Sequence, residues 1–213
     1  MSMMLTQSQR DSLEQATQMY QHDVGLAADY LAGRGLSEET VRTYRLGVVT
    51  PTNAQLGDEQ YTGRLSIPFM AGDEMQSVVG MRFRSLGPDE PKYLSRVGDE
   101  TTMFSVQSLN MLNGTVVVTE GEIDCMTLNQ CGIPSVGVTG AKAFKPHYRL
   151  LLQDCRVLIA CDGDQAGRDF GKHVAEIVQG AVPVSMPDGE DVNSVYTMHG
   201  ESELRRLLRL SDG

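Results

Sequence analysis

Residues 157–161 (VLIAC) form an unbroken apolar run that ends in Asp162-Gly163-Asp164 and continues into Gln165-Ala166-Gly167-Arg168. A run of this length between turn residues suits a strand buried on both faces of a parallel sheet. That placement puts Asp162 and Asp164 at the strand's carboxyl end, where open α/β sheets hold their ligands. Two carboxylates two residues apart repel each other unless a cation lies between them. Hard divalent ions such as Mg2+ take oxygen ligands of this kind and keep positions open for phosphate. For this stretch alone a solvated Asp-Gly turn explains the residues as well, so the other strands decide the matter.

From residue 114 the pattern alternates strand and helix, which marks a parallel sheet. Strands are expected over 115–119, 134–138, 157–161 and 182–186. Helices are expected over 122–130, 144–152, 165–178 and 201–210. Right-handed crossovers then set the strands side by side with their carboxyl ends on one edge. Glu120, the Asp162/Asp164 pair and the loop Asp188-Gly189-Glu190-Asp191 each follow a strand on that edge, and Asp124 lies one helical turn beyond Glu120. Three acid clusters at equivalent strand ends favour a divalent-metal site over solubility alone. The sequence contains no GxxxxGK[ST] loop and no evident Ser/His/Asp or Cys/His arrangement. What remains is metal-assisted phosphoryl chemistry: water attacking a phosphodiester, or a sugar hydroxyl attacking a nucleotide α-phosphate.

The first half reads differently. Residues 1–21 are polar, with helix expected from Asp11 onward; a helix through 27–31 stops near Gly33 or Gly35, and Ser37 caps another. Residues 49–113 hold short strands at 64–69, 77–84 and 93–94, with a hairpin around 71–74. Arg64, Arg82, Arg84, Lys92 and Arg96 lie along them, and Arg82 and Arg84 share a face by the period-two rule. Scattered cations are ordinarily solvated strand faces, but Arg82 and Arg84 can form a local positive stripe in a chain of net charge −10. That net charge argues against tight non-specific nucleic-acid binding by the whole surface. Cys125, Cys131, Cys155 and Cys161 lack any CxxC pair and are expected as reduced core residues, not a zinc site or disulfide framework. With no long apolar run and no signal-peptide profile, a cytoplasmic protein is expected.

The series Glu120-Gly121-Glu122-Ile123-Asp124, then Asp162-Gly163-Asp164-Gln165-Ala166-Gly167, then Asp188-Gly189-Glu190-Asp191, resembles the Toprim signature of bacterial DnaG-type primases. Residues 63–69, 79–84 and 91–95 are similar to the basic N-terminal subdomain of the same primase core, and residues 30–37 to its helical entry. The resemblance implies an α/β chain, in which a helical segment (1–48) and a basic α+β subdomain (49–113) precede a Toprim parallel-sheet domain with a C-terminal helix (114–213). It implies a nucleotidyltransferase, a DNA-directed RNA polymerase that makes short RNA primers for DNA replication on a single-stranded DNA template from NTPs. By position, Glu120, Asp162 and Asp164 lead a Mg2+ (or Mn2+) site, with Asp124 and Asp191 assisting. Arg84 and Lys92, with Arg64 and Arg82, match the family's nucleotide- and template-binding cations. Asn193 stands where the family carries an aspartate two residues after the loop acid. Neither a zinc-binding domain nor a helicase-binding domain is seen, so a separate zinc-binding domain and a replicative helicase are the expected protein partners. A short or split primase, of the kind a phage encodes and acting in the cytoplasm of a bacterial or phage-infected cell, is the expectation.

Two other readings share these residues. A Toprim nuclease would use the same acids to cut a phosphodiester, though small nucleases of this kind have no use for residues 60–96. A non-catalytic nucleic-acid-binding replisome adaptor would keep the acids for structure alone.

Overall fold

The computed structural model describes residues 5–72, 77–99, 102–111, 114–139 and 143–211. Packing divides the chain into two units where three segments were expected. Met1–Ala32 with Ser37–Thr102 form one, and Gly33–Leu36 with Met103–Gly213 form the other.

In the first unit α1 (Gln7–Gln21) starts four residues before the expected Asp11. Thr6 and Gln9 close a reciprocal capping box there, which satisfies two of the helix's orphan N–H groups and makes this polar end a sound start. After α2 (Ala28–Gly33), α3 (Glu38–Thr43) is capped by Ser37, whose Oγ accepts from the Thr40 N–H at 3.1 Å. Strands β1 (Gly47–Val48), β2 (Arg64–Met70), β3 (Val78–Ser85) and β4 (Tyr93–Ser95) form an antiparallel sheet in that order. The expected hairpin at 71–74 lies partly outside the described residues.

Period-two alternation sends Phe83 of β3 into the core, where its ring stacks on Tyr61 at 3.9 Å beside Tyr20 of α1. Asp58, 2% exposed, accepts from the Tyr20 hydroxyl at 2.6 Å and from Arg96 Nε at 2.9 Å. A buried carboxylate is tolerated because both partners are in place. Arg96, one of the cations along these strands, is thus committed to Asp58.

The second unit holds β5 (Thr115–Thr119), α4 (Glu122–Gln130), β6 (Ser135–Gly137), β7 (Arg156–Cys161), α5 (Gln165–Ile177), β8 (Val182–Ser185), α6 (Val192–His199) and α7 (Glu201–Leu208). Its sheet runs β6-β5-β7-β8, every neighbouring pair parallel. Alternate residues of the two central strands feed two cores. Val116, Val118, Val157 and Ile159 pack with Phe170 and Val174 of α5. Val117, Leu158 and Ala160 pack with Leu128, Val195, Leu204 and Leu208 of α4, α6 and α7. A central sheet covered on both faces explains why 157–161 is apolar without alternation.

Two elements depart from the sequence reading. The helix expected over 144–152 is a short 3-10 segment, Pro146–Leu151. Proline at its start supplies no N–H, and so short a segment gains little from α-helical bonding. Helix α6 has no counterpart in the sequence reading, which assigns only the loop 188–191 before it and a helix from 201 after it. The cysteines are free thiols, and no helix among the described residues is long and apolar enough to cross a membrane.

Candidate active site

Glu120 follows β5, Asp162 follows β7, and the 188–191 loop follows β8. Those three strands are consecutive in the sheet and parallel, so the acids leave from one edge.

Backbone contacts lock two of these exits together. Gly163 N–H donates to the Glu190 carbonyl at 2.8 Å, and Gly189 N–H donates to the Gly163 carbonyl at 2.9 Å. The loops carrying Asp162 and Asp191 therefore form one backbone unit. Glycine is required at both ends of the Asp162–Gly167 turn. A Cβ on Gly163 would collide with the Pro187 carbonyl and reach 2.9 Å from Gly189 N; one on Gly167 would collide with the Asp162 backbone.

Three of the acids are aimed by helix starts. Asp164 caps α5, its Oδ1 accepting from Gly167 N–H at 2.7 Å. Asp191 caps α6, its Oδ1 accepting from Ser194 N–H at 2.6 Å, and Ser194 Oγ accepts from Asp191 N–H in return. Asp124, in the first turn of α4, accepts from Asn193 N–H at 3.0 Å through Oδ1. Glu120 caps nothing, and its Oε1 is buried with no hydrogen-bond partner among the described residues.

The electrostatics tie the five acids together. Burial pushes the Glu120 carboxyl up from its ordinary value, and Asp164 and Asp124 push it further. Burial pushes Asp124 up to about 7, reinforced by Asp191 and Asp162 and opposed by the Asn193 hydrogen bond and the Arg34 charge. All five predicted ligands thus lie within electrostatic reach of Asp124 or Glu120. No three His, Cys, Asp or Glu among the described residues close tightly enough to hold one ion as they stand. The donor set nonetheless fits a hard divalent cation in kind: oxygen only, carboxylates only, with a buried oxygen lacking a partner.

Asn193 does not point at this cluster. It is 1% exposed. Its Nδ2 donates to the Arg34 carbonyl at 2.8 Å and to Thr127 Oγ1 at 2.9 Å, while its Oδ1 accepts from Arg34 Nη1 at 3.2 Å. The residue at the family's aspartate position is here a strut between α6, α4 and the segment Gly33–Leu36. Sequence reading missed Arg34 and Asn193 as a pair because 159 residues separate them.

In the first unit Arg82 and Arg84 meet at one ring. Their guanidinium carbons lie 4.7 and 4.8 Å from the Tyr93 centroid, and Arg84 Nη1 also donates to the Tyr93 hydroxyl. Arg84 lies 5.4 Å from the Tyr30 ring as well and is only 4% exposed. Arg64 Nη1 donates to the Pro91 carbonyl at 2.9 Å, and Lys92 is exposed beside β4. The cations are legible in the sequence, whereas no motif marks the tyrosines that organise them, although Tyr93 follows Lys92 directly.

Residues 117–196 match the Toprim-like family. The Gene 57 protein of Mycobacterium phage D29 is 42% identical over 147 residues, covering 68% of this chain and 97% of that protein. The chain belongs to the family of this phage protein and carries a Toprim-like domain. DNA primase of Escherichia coli (strain K12) is 28% identical over 87% of this chain, which spans only 40% of that protein's length. Among solved structures, a DnaG primase catalytic domain bound to ssDNA superposes with a TM-score of 0.73 at 24% identity, over 94% of this chain and 80% of that one. The α/β architecture with its parallel sheet is that of the primase core.

Proposed function

We propose that this chain is the catalytic core of a DNA primase, a metal-dependent polymerase joining NTPs into short RNA primers on single-stranded DNA. The observation that carries the proposal is the convergence of Glu120, Asp162 and the 188–191 loop at adjacent parallel strand ends, with Glu120 Oε1 buried and partnerless among the described residues. Glu120, Asp162 and Asp164 would hold Mg2+ or Mn2+, with Asp124 and Asp191 assisting. When bound, the ions offset charge developing on the phosphate and align the attacking hydroxyl with the leaving group.

The chain's own groups do the rest. The Gly163–Glu190 and Gly189–Gly163 bonds fix the spacing between the carboxylates of two loops. Helix starts hold Asp164 and Asp191 in direction, so little reorganisation is needed when charge moves. Arg64, Arg82, Arg84 and Lys92 form the nucleotide and template surface. Within it, Arg82 and exposed Lys92 reach phosphate, while Arg84 acts by fixing Tyr93. Partners in this reading are single-stranded DNA, NTPs, a separate zinc-binding domain that aids initiation, and a replicative helicase. The activity belongs in the cytoplasm.

The test incubates the full chain with single-stranded template, labelled NTPs and Mg2+ or Mn2+, with and without a zinc-binding primase domain. Oligoribonucleotides should form, weakly for the chain alone, and Asp162→Ala should reduce them at least about 100-fold. Shortened DNA without NTP incorporation would assign the acids to nuclease chemistry. No product under either condition would favour the adaptor reading.

A further inference from the structure

The proposed chemistry gives no role to Arg34 of the second unit. Arg34 reaches Asn193 Oδ1 through Nη1 at 3.2 Å, and Asn193 in turn holds Asp124 through its backbone N–H at 3.0 Å. Only an amide can make this set of bonds. The two Nδ2 bonds to the Arg34 carbonyl and Thr127 Oγ1 need a donor, and the guanidinium needs an acceptor on the same side chain. A carboxylate at 193 would meet two oxygens with no proton to give. The guanidinium and the buried acid thus share Asn193, the one through its side chain and the other through its backbone N–H.

We propose that Arg34 is a built-in counter-cation of the acid cluster, held beside Asp124 by Asn193, where it offsets part of the carboxylates' charge and weakens their hold on a divalent ion. Asn193 is the positioning residue in this arrangement. A fixed positive charge competes with an incoming cation for the same field. The cluster is thereby tolerable without metal and binds metal less tightly than five bare acids would. The inference rests on the metal reading of the site.

Its sign separates it from mere scaffolding. Loss of a strut loosens a site and weakens metal binding; loss of a competing charge tightens it. The experiment measures Mn2+ affinity of the full chain by isothermal titration calorimetry, and the Tm without metal, for wild type and variants. Arg34→Gln should bind Mn2+ roughly 3- to 10-fold more tightly while its metal-free Tm falls. Arg34→Lys, which keeps the charge, should stay near wild-type affinity. Gln130→Ala removes another tie to the same segment, the 2.8 Å bond from Nε2 to the Gly35 carbonyl; it should lower Tm and leave Mn2+ affinity unchanged. Should Arg34→Gln not fold, Asn193→Ala releases the guanidinium while keeping the backbone N–H on Asp124, and should also tighten Mn2+. Unchanged or weaker Mn2+ affinity in the variant that folds overturns the counter-cation and leaves the metal site standing. Failure of wild type to bind Mn2+ at all overturns both.

Discussion

Asp58 in the first unit and the acid edge of the second hold buried charge in opposite ways. In the first, Asp58 is nearly inaccessible but receives a tyrosine hydroxyl and an arginine, and Arg45 grips Glu14 with two bonds of 2.9 and 2.6 Å. In the second, Glu120 and Asp124 are pushed up by burial and by one another's neighbours, with Arg34 the cation acting on Asp124. A matched ion pair stabilises the fold that contains it. A cluster of like charges costs stability, so its presence at one sheet edge points to a ligand that repays the strain. The contrast identifies a scaffold in one unit and a site in the other.

The strongest way to break this contrast is to remove the match. Asp58→Ala strands Arg96 and the Tyr20 hydroxyl, and should destabilise the chain by about 3–5 kcal/mol, read by urea unfolding. A loss under about 1 kcal/mol would mean that the pair is solvated, and the first unit would not differ from the second in kind. Next is the clamp between acid loops. Gly163→Ala forces a Cβ against the Pro187 carbonyl, and should cost about 1–3 kcal/mol together with most of the Mn2+ affinity. Stability lost with Mn2+ affinity intact would separate the clamp from the site.

The third prediction concerns pH. Asp124 binds its proton more tightly in the folded chain, up to about 7, than in the unfolded one. Between the unfolded value and that pH the native state carries the extra proton, so metal-free stability falls as pH rises across this window. The slope should reach at most about 1.4 kcal/mol per pH unit for this group, and Mg2+ should flatten it. Thermal melts from pH 5 to 8 with and without Mg2+ would be flat across this window if the acids were matched, because carboxylates held below their ordinary value titrate beneath it. The smallest effect is expected at Tyr93→Phe. It removes the hydroxyl bonded to Arg84 and leaves the ring under both guanidiniums, costing about 1 kcal/mol with little change in Mn2+ affinity.

Sequence carried the architecture of the second unit well because its strands are near-continuous apolar runs and its acids follow strand ends. Local signals failed where two roles shared a residue. Asp191 to Ser194 spells a helix start, yet the acids around it drew the reading toward ligands, and no helix was expected over α6. Residue 193 looked like a weakened ligand for the same reason. Its partners, Arg34 and Thr127, are 159 and 66 residues away, and no spacing rule links them. In the first unit the positive stripe was legible from period two. The fate of each cation was not, since Arg96 is claimed by Asp58 and Arg84 by Tyr93 only once the sheet has formed.

The helix caps explain the acid composition of the site. Asp164 and Asp191 must each bend back onto a backbone N–H two or three residues ahead, a reach that suits a carboxyl one methylene from Cα. Glutamate there would overshoot the helix start, and with it the aim of the second oxygen. Glu120 follows a strand, and Gly121 takes the capping position of α4 without a side chain, so no local geometry limits its length. Among the five predicted ligands the longer acid thus follows the strand whose next helix has no acid as its cap. Exchanging Asp for Glu would leave the charge of this edge unchanged and alter where it is delivered.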